Sequence, residues 1–554
     1  MPFSVRCLDC RYTAPYSPVA TQCPRCNSQW REAEYDYETI AKILPSLLPR
    51  RPFDLWRYRE LLPVRNPIPH LSLGEGGTPL IRAVNLGMML GTPHLYIKDE
   101  RQGPTASFKD RQAVITIAAL KEAGINEIVV ASTGNVAIAY SAYAARAGIK
   151  LWAFVTSLVP AVKMREIALY GSQVVKVTAS YDQAKLLAAE FARQRGLYFD
   201  LGARAITSIE SMKTIAFEIS EQLTALVGPP ARDDGLRLRA PDWYIQAISG
   251  GMGPMGVYKG FYELKGMGWI DRMPALAPIQ AEGCAPMVNS WKKGLEEAEP
   301  VLTPRTHIET LATGNPGRAY TILRNQVKAT GGVFESVSDE ETYRAMHVLA
   351  KMEGISAEPA AAVAFAGLFK LVRAGIIKSD DVIVVNCTGH TMPTEPFVLG
   401  ENWARSVVLP SRSEEKPQEG LLAALTNIAP ERFRSIVIVD DSADSRRLIR
   451  RILQSQGDFR ILETPDGQSG LALIQQELPD LIILDLMMPE MDGFAVLDHL
   501  KANPETAQIP VIVASAKELT PDEKSKLAGR IQSLMQKGDF LNDEFLEEVR
   551  SLIK

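Results

Sequence analysis

The stretch NEIVVASTGNVAIAYSAYAARAG (126–148) passes from a β-branched apolar run, through a Ser-Thr-Gly-Asn turn, into an alanine-rich helical pattern. A short apolar run closed by such turn residues reads as a buried strand, and the alanine-rich segment after the turn reads as a helix. Similar apolar runs recur at LWAFVTS (151–157), SQVVKV (172–177), DWYIQAIS (242–249) and DVIVVN (381–386), with the helical pattern SYDQAKLLAAEFARQRG (180–196) among them. Strands alternating with helices predict an α/β fold built on largely parallel sheet.

Working outward, the 554 residues exceed what one core organises. Four stretches are expected. Residues 1–30 form a small Cys-rich module. Residues 31–408 form the α/β unit, its first part to about residue 75 being proline-rich connecting structure. Residues 409–434, with LPSRSEEKPQEG at 409–420, form a polar linker, and 435–554 a second α/β unit. Apolar residues make up 46%, charged residues 23%, and the formal net charge is -4. That balance gives no electrostatic reason for a nucleic acid or an anionic membrane as partner. No apolar run reaches the roughly 18 residues of a membrane-spanning helix, and MPFSVRCLDCRY lacks the pattern of a secretory signal. The expected compartment is the cytoplasm.

PTASFKDRQA (104–113) puts Lys109 at the expected start of a helix. Burial and the helix dipole both disfavour a charged amine there, and a neutral amine can bond an aldehyde cofactor. ASTGN (131–135) opens a helix after a strand and offers N–H groups to a carboxylate or phosphate. SGGMGPMG (249–256) also follows a strand, and its glycines let backbone N–H groups approach an anion. We read it as a phosphate turn and not as a dinucleotide fingerprint. VNCTGHT (385–391) sets Thr388 just past another strand.

Taken in order, GEGGTPL (74–80), LYIKDE (95–100), PTASFKDR (104–111), STGN (132–135), MKTIAFEI (212–219), SGGMGPMGVYKGF (249–261), TGNP (313–316), GISAEPAAA (354–362) and CTGH (387–390) resemble a pyridoxal phosphate (PLP) enzyme of fold type II, the tryptophan synthase β-like group, and within it threonine synthase. The resemblance implies a fold of two α/β subdomains and a homodimer. It implies that Lys109 holds PLP covalently and shuttles the substrate's α-proton, that Asn135 bonds the cofactor's 3′-oxygen, and that Ser249, Gly250, Gly251, Met252 and Gly253 hold its phosphate. Thr388 would face the pyridine nitrogen. Ser132, Thr133 and Gly134 would take the substrate carboxylate, and Lys98 the substrate phosphate. Where the family carries an Asn and an Arg for that phosphate, this chain has Ala205 and Ser208; Arg204 is close by. Ala106 and Gln112 replace two glycines usual in the family.

Cys7, Cys10, Cys23 and Cys26 give C-x2-C-x12-C-x2-C, a spacing that presents four thiolates to Zn²⁺ and leaves no position open, as in a structural zinc ribbon. Asn27 follows the second pair, where a left-handed backbone is tolerated; Arg11 follows the first, where a glycine is usual. Cys284 and Cys387 read as packing residues.

In the C-terminal unit the strands SIVIV, FRILE, DLIILD and IPVIVAS, and a last one near IQSLM, predict a doubly wound sheet whose strand ends bring Asp440, Asp441, Asp485, Ser515 and Lys537 to one edge. Converging carboxylates suit Mg²⁺. IVIVDDS, LIILDLMMPEMDG and VIVASA resemble a response-regulator receiver domain. The resemblance implies Asp485 as phosphoacceptor in a phosphorelay, Asp440 and Asp441 as Mg²⁺ ligands with it, Ser515 and Lys537 as phosphate contacts, and a histidine kinase or other phosphodonor as partner. Leu534 stands where an aromatic switch is common, and Gly538 where a proline is usual.

The expected activity is that of a threonine synthase-like lyase of amino-acid metabolism, converting O-phosphohomoserine to threonine and phosphate. Two alternatives stand beside it. One is a related β- or γ-lyase or replacement enzyme on another amino acid, such as a serine or threonine dehydratase. The other is an inactive PLP-fold scaffold in two-component signalling.

Overall fold

In the computed structural model, Ser4–Cys7 (β1), Thr13–Pro15 (β2) and Arg31–Glu34 (β3) form an antiparallel sheet of order β2-β1-β3 that carries the four cysteines around it. The residues described are 3–65, 69–132, 134–156, 159–178, 181–230, 236–390, 434–456, 459–515, 519–536, 549 and 551–552. The sheet runs past the expected edge of the module at residue 30, because β3 pairs along the whole of β1.

The proline-rich stretch after it is not merely connecting. Tyr37–Leu47 is a helix, started by Asp36, whose carboxylate accepts the Thr39 N–H at 3.1 Å, with Pro45 confined to the last turn. The prolines of this stretch fall at and beyond the end of the helix, from Pro45 onward, and not at its cap.

The α/β unit carries Leu80–Arg82 (β4), Leu95–Asp99 (β5), Glu127–Ser132 (β6), Lys150–Thr156 (β7), Gln173–Val177 (β8), Tyr198–Phe199 (β9), Trp243–Ala247 (β10), Ala275–Ala281 (β11), Glu335–Val337 (β12) and Ile383–Cys387 (β13). They form two sheets. One has order β12-β11-β10-β13-β5-β4, parallel except for β4; the other has order β8-β7-β6-β9 and is wholly parallel. Two α/β subdomains are thus present, as the resemblance implies. Every residue of β5, β10 and β13 is buried, the signature of strands covered on both faces.

The helices Ile206–Val227 and Met252–Gly266 pack beside the larger sheet, in one apolar core. A Cβ added at Gly256 would lie 2.4 Å from that of Met212, and one at Gly260 2.4 Å from the Lys213 carbonyl oxygen. Glycine at these two positions therefore sets the distance between the helices. The helices Lys109–Glu122 and Asn135–Ala147 share a second core with the smaller sheet.

The C-terminal region has its own sheet: Ser435–Val439 (β14), Arg460–Thr464 (β15), Leu481–Asp485 (β16), Val511–Ser515 (β17) and Ser533–Gln536 (β18), all parallel in the order β15-β14-β16-β17-β18. This is the doubly wound topology expected. Alternate residues Val437, Val439, Ile482, Leu484, Val511 and Val513 form its core. The linker expected at 409–434 lies outside the described residues save Arg434.

The chain divides into two compact units. Among described residues the first comprises 3–83, 94–349 and 356–390, so the Cys-rich module belongs to the same unit as the α/β subdomains. The second comprises 84–93, 350–355 and the region from 434 onward. No described helix is long and apolar enough to cross a membrane.

Candidate active site

A cavity of about 430 Å³ opens at the strand ends of the first unit, and Lys109, Ser132, Lys185, Asp200, Arg204 and Ser249 line it. Open α/β sheets present their strand C-termini as a crevice, and here β6, β9 and β10 deliver Ser132, Asp200 and Ser249.

Lys109 begins the helix Lys109–Glu122, as expected. Burial lowers its amine to about 8, against weaker opposite pulls from Asp200 and Glu358. Its Nζ lies 4.1 Å from the Phe108 ring centroid. The loop before it is fixed by Asp110, which accepts the Thr105 N–H at 3.0 Å and the Thr105 hydroxyl at 2.6 Å. Ala106 in that loop has φ 56°, which accounts for the glycine it replaces. Thr388 joins the same loop, its carbonyl accepting the Phe108 N–H at 3.1 Å.

The turn after β10 is built to hold an anion. The backbone N–H groups of Ser249, Gly250 and Gly251 donate to no acceptor among the described residues. Gly251 has φ 79° and caps the helix Met252–Gly266. A Cβ at Gly253 would lie 2.2 Å from Gln246 Nε2. The spacing Gly251-x-Gly253-x-x-Gly256 after a strand is that of the dinucleotide fingerprint, contrary to the reading of this turn from sequence. Here Gly251 makes the turn, Gly253 leaves room for the Gln246 side chain, and Gly256 lets its helix pack closely on the helix Ile206–Val227. A cradle of free N–H groups at a helix start fits the phosphate of PLP.

Other expected residues fall differently. Ser132 Oγ accepts the N–H groups of Gly134 at 3.0 Å and Ala137 at 3.1 Å, so it shapes the turn. Thr133 lies outside the described residues. Asn135 opens its helix, with its amide donating to Glu358 at 2.6 Å and accepting from Lys163 at 3.1 Å. Neither Glu358 nor Lys163 stands out in the sequence; the placement of Glu358 just before Pro359 in GISAEPAAA is the available signal.

Lys98 is placed away from the cavity. It is fully buried, and its three donors go to the Thr78 carbonyl at 2.6 Å, Glu218 at 2.7 Å and Gln222 at 2.9 Å. An ammonium has three N–H groups, so none is left for a substrate phosphate. Ser208 is also buried and accepts from Gln112 Nε2 at 3.1 Å. The two departures from the family pattern thus meet each other: the side chain at 112 fills space next to the short one at 208.

The four cysteine sulfurs lie within 4.8 Å of one another, with Cys7–Cys26 at 3.5 Å and Cys10–Cys23 at 3.6 Å. A tetrahedral Zn²⁺ at about 2.3 Å from each sulfur sets them about 3.8 Å apart, so the set fits zinc. Arg11 and Asn27 both take the left-handed backbone, φ 60° and 58°.

In the second unit, carboxylate oxygens of Asp440, Asp441 and Asp485 lie within 4.8 Å of one another at the ends of β14 and β16. Ser515 ends β17, one residue beyond the Ala514 that pairs with Asp485. It pairs with Gln536, the residue before Lys537, which is itself outside the described residues. Leu534 is 38% exposed on β18.

A crevice at parallel strand ends, floored by a lysine that gives up its proton easily and faced by a phosphate cradle, defines a PLP-dependent lyase. The chain belongs to the family described as pyridoxal-phosphate dependent enzyme, matched over residues 71–389, and carries a response regulator receiver domain, matched over 436–549. It is 36% identical over 387 residues to the threonine synthase of Methanocaldococcus jannaschii, covering 70% of this chain and 91% of that protein. With the threonine synthase of Methanosarcina acetivorans it shares 34% identity over 407 residues, 72% of this chain and 94% of that one. Among solved structures it is similar to the processed form of threonine deaminase isoform 2 from Solanum lycopersicum, with a TM-score of 0.47 and 22% identity, covering 57% of this chain and 84% of that chain.

Proposed function

We propose that the first unit is a threonine synthase, converting O-phosphohomoserine and water to threonine and phosphate. The observation that carries this reading is 36% identity to a threonine synthase over 91% of that protein's length. The convergence of Lys109 and the free N–H turn on one cavity supports it.

Bound PLP supplies an electron sink for the carbon atoms next to the substrate's amino group. Lys109 Nζ holds the cofactor and then moves the proton at the substrate's α-carbon; an amine lowered to about 8 is suited to both giving and taking it. The N–H groups across Ser249, Gly250, Gly251, Met252 and Gly253 hold the cofactor phosphate. Asn135 would bond its 3′-oxygen, exchanging a present partner to do so, and Thr388 would offer a neutral hydroxyl to its ring nitrogen. The Ser132–Gly134 turn takes the substrate carboxylate. The cysteines hold structural Zn²⁺. In the receiver, Asp440, Asp441 and Asp485 hold Mg²⁺, and Asp485 accepts a phosphoryl group from a histidine kinase or another phosphodonor, contacted by Ser515 and Lys537. The working protein is a cytoplasmic homodimer whose receiver regulates the lyase or sets its location.

A second reading, a dehydratase or replacement enzyme on serine or threonine, draws on the neutral Ser208–Gln112 pair where the family carries an arginine. Phosphate release from O-phosphohomoserine decides. Wild type should release it and Lys109→Ala should not. No release by wild type, with turnover of serine or threonine, contradicts the first reading.

A further inference from the structure

Four cations reach the cavity: Lys109, Lys185, Arg204 and Arg318. Lys109 is the lysine the reaction uses. Arg318 is already neutralised by an ion pair with Asp9. Lys185 and Arg204 are different. Among the described residues neither makes an ion pair with a carboxylate, and the Lys185 side chain has no hydrogen-bond partner, while Arg204 donates to the neutral side-chain amide of Gln29.

Both side chains are half-buried. Burial lowers the pKa of each, and the nearby charge of Arg204 lowers that of Lys185 further, against smaller opposite pulls from Asp182 and Asp200 on Lys185 and from Asp200 and Tyr181 on Arg204. Holding two like charges together beside a cavity, away from water, is costly without an anion between them. Asp200, in the same cavity, offsets only part of that cost, acting on both cations without a direct ion pair to either. It accepts the Tyr140 hydroxyl at 3.2 Å and the Gly202 N–H at 3.3 Å, and it lies outside ion-pair distance of either cation.

The two residues also resolve the mismatch at Ser208. Arg204 closes the short turn Gly202–Arg204, just before the helix Ile206–Val227 whose first turn carries Ser208. Lys185 reaches the same cavity from the helix Tyr181–Arg195. Two cations that line one cavity without an ion pair suit a phosphate dianion better than a carboxylate.

We propose that Lys185 and Arg204 form the phosphate subsite of the cavity, gripping the phosphomonoester of the substrate, and that Gln29 of the Cys-rich module is the positioning residue for Arg204. This rests on the phosphohomoserine reading and deepens it.

The test uses the full-length, PLP-loaded protein. KM and kcat for phosphate release from O-phosphohomoserine, and binding of inorganic phosphate by calorimetry, are compared in wild type, Lys185→Met, Lys185→Arg, Arg204→Gln and Gln29→Glu. Loss of one charge-assisted contact should weaken phosphate binding and raise KM at least about tenfold in Lys185→Met and Arg204→Gln. Lys185→Arg should restore most of it. Gln29→Glu keeps the contact to Arg204 but pairs its charge, so KM should rise while kcat holds, which a purely structural role would not produce. Cofactor absorbance and melting temperature should not change. Unchanged phosphate affinity in the folded, PLP-loaded variants overturns the subsite, as does a wild type that binds no phosphate. Weaker cofactor binding in the variants would assign the pair to the phosphate of PLP and also overturns it. If wild type binds phosphate through these residues but does not turn over O-phosphohomoserine, the subsite stands and the threonine synthase reading fails.

Discussion

Lys109 loses its proton at about 8 because burial disfavours the ammonium, and only the neutral amine attacks an aldehyde. The rate at which PLP attaches to cofactor-free protein should therefore rise as pH rises through about 8 and level off above it, read by stopped-flow absorbance. A rate flat from pH 7 to 9 would contradict the placement of this amine. Ala106 makes a separate prediction. At φ 56° its Cβ costs energy that glycine avoids. Ala106→Gly should raise stability by roughly 0.5–1 kcal/mol in denaturant titration, net of glycine's greater freedom when unfolded. Lys109 in PTASFKDR and Asn135 in STGN are legible in sequence because local signals put both at helix starts, although the side-chain partners of Asn135, Glu358 and Lys163, come from elsewhere in the chain. Lys98 and Lys185 are not. Which lysine faces a cavity depends on partners such as Glu218, 120 positions away in the chain from Lys98.

At the scale of elements, the strands are legible because parallel sheet covered on both faces demands continuous apolar runs. The helix Tyr37–Leu47 is not, because Pro45, Pro49 and Pro52 at and beyond its end make the stretch read as connection. Nor does sequence show what joins the helices Ile206–Val227 and Met252–Gly266. Buried Lys213 bridges Glu210 at 2.6 Å and Glu263 at 3.0 Å, while Lys259 pairs with Glu210 at 2.6 Å. Removing one cation leaves buried carboxylate charge uncompensated. Lys213→Met should cost about 3–5 kcal/mol, and adding Glu263→Gln should recover part of it. A loss below about 1 kcal/mol in thermal or denaturant unfolding would show that water reaches this cluster, as at surface pairs. The Cys-rich module bears on the cavity through Trp30, which lines it, and through the contacts of Asp9 with Arg318 and Gln29 with Arg204. Zinc held by its four cysteines, as proposed, should therefore matter beyond the fold of the module. Stripping zinc with a chelator should raise KM for the phosphorylated substrate with the PLP content unchanged.

For the whole molecule, the sequence displays two separate chemistries, each on its own compact unit. The receiver motifs are legible almost to the residue, since the ends of β14, β16 and β17 carry Asp440, Asp485 and Ser515 as read. Asp485→Asn should abolish phosphoryl uptake from acetyl phosphate with Mg²⁺ and leave PLP attachment intact; uptake by that variant would place the acceptor elsewhere. In the function proposed for the other unit, catalysis would depend on a covalent bond at one side chain. Borohydride reduction of cofactor-saturated protein, with peptide mapping of the product, should find the pyridoxyl mass on Lys109 and nowhere else. A reduced, saturated protein with Lys109 unmodified would contradict that dependence.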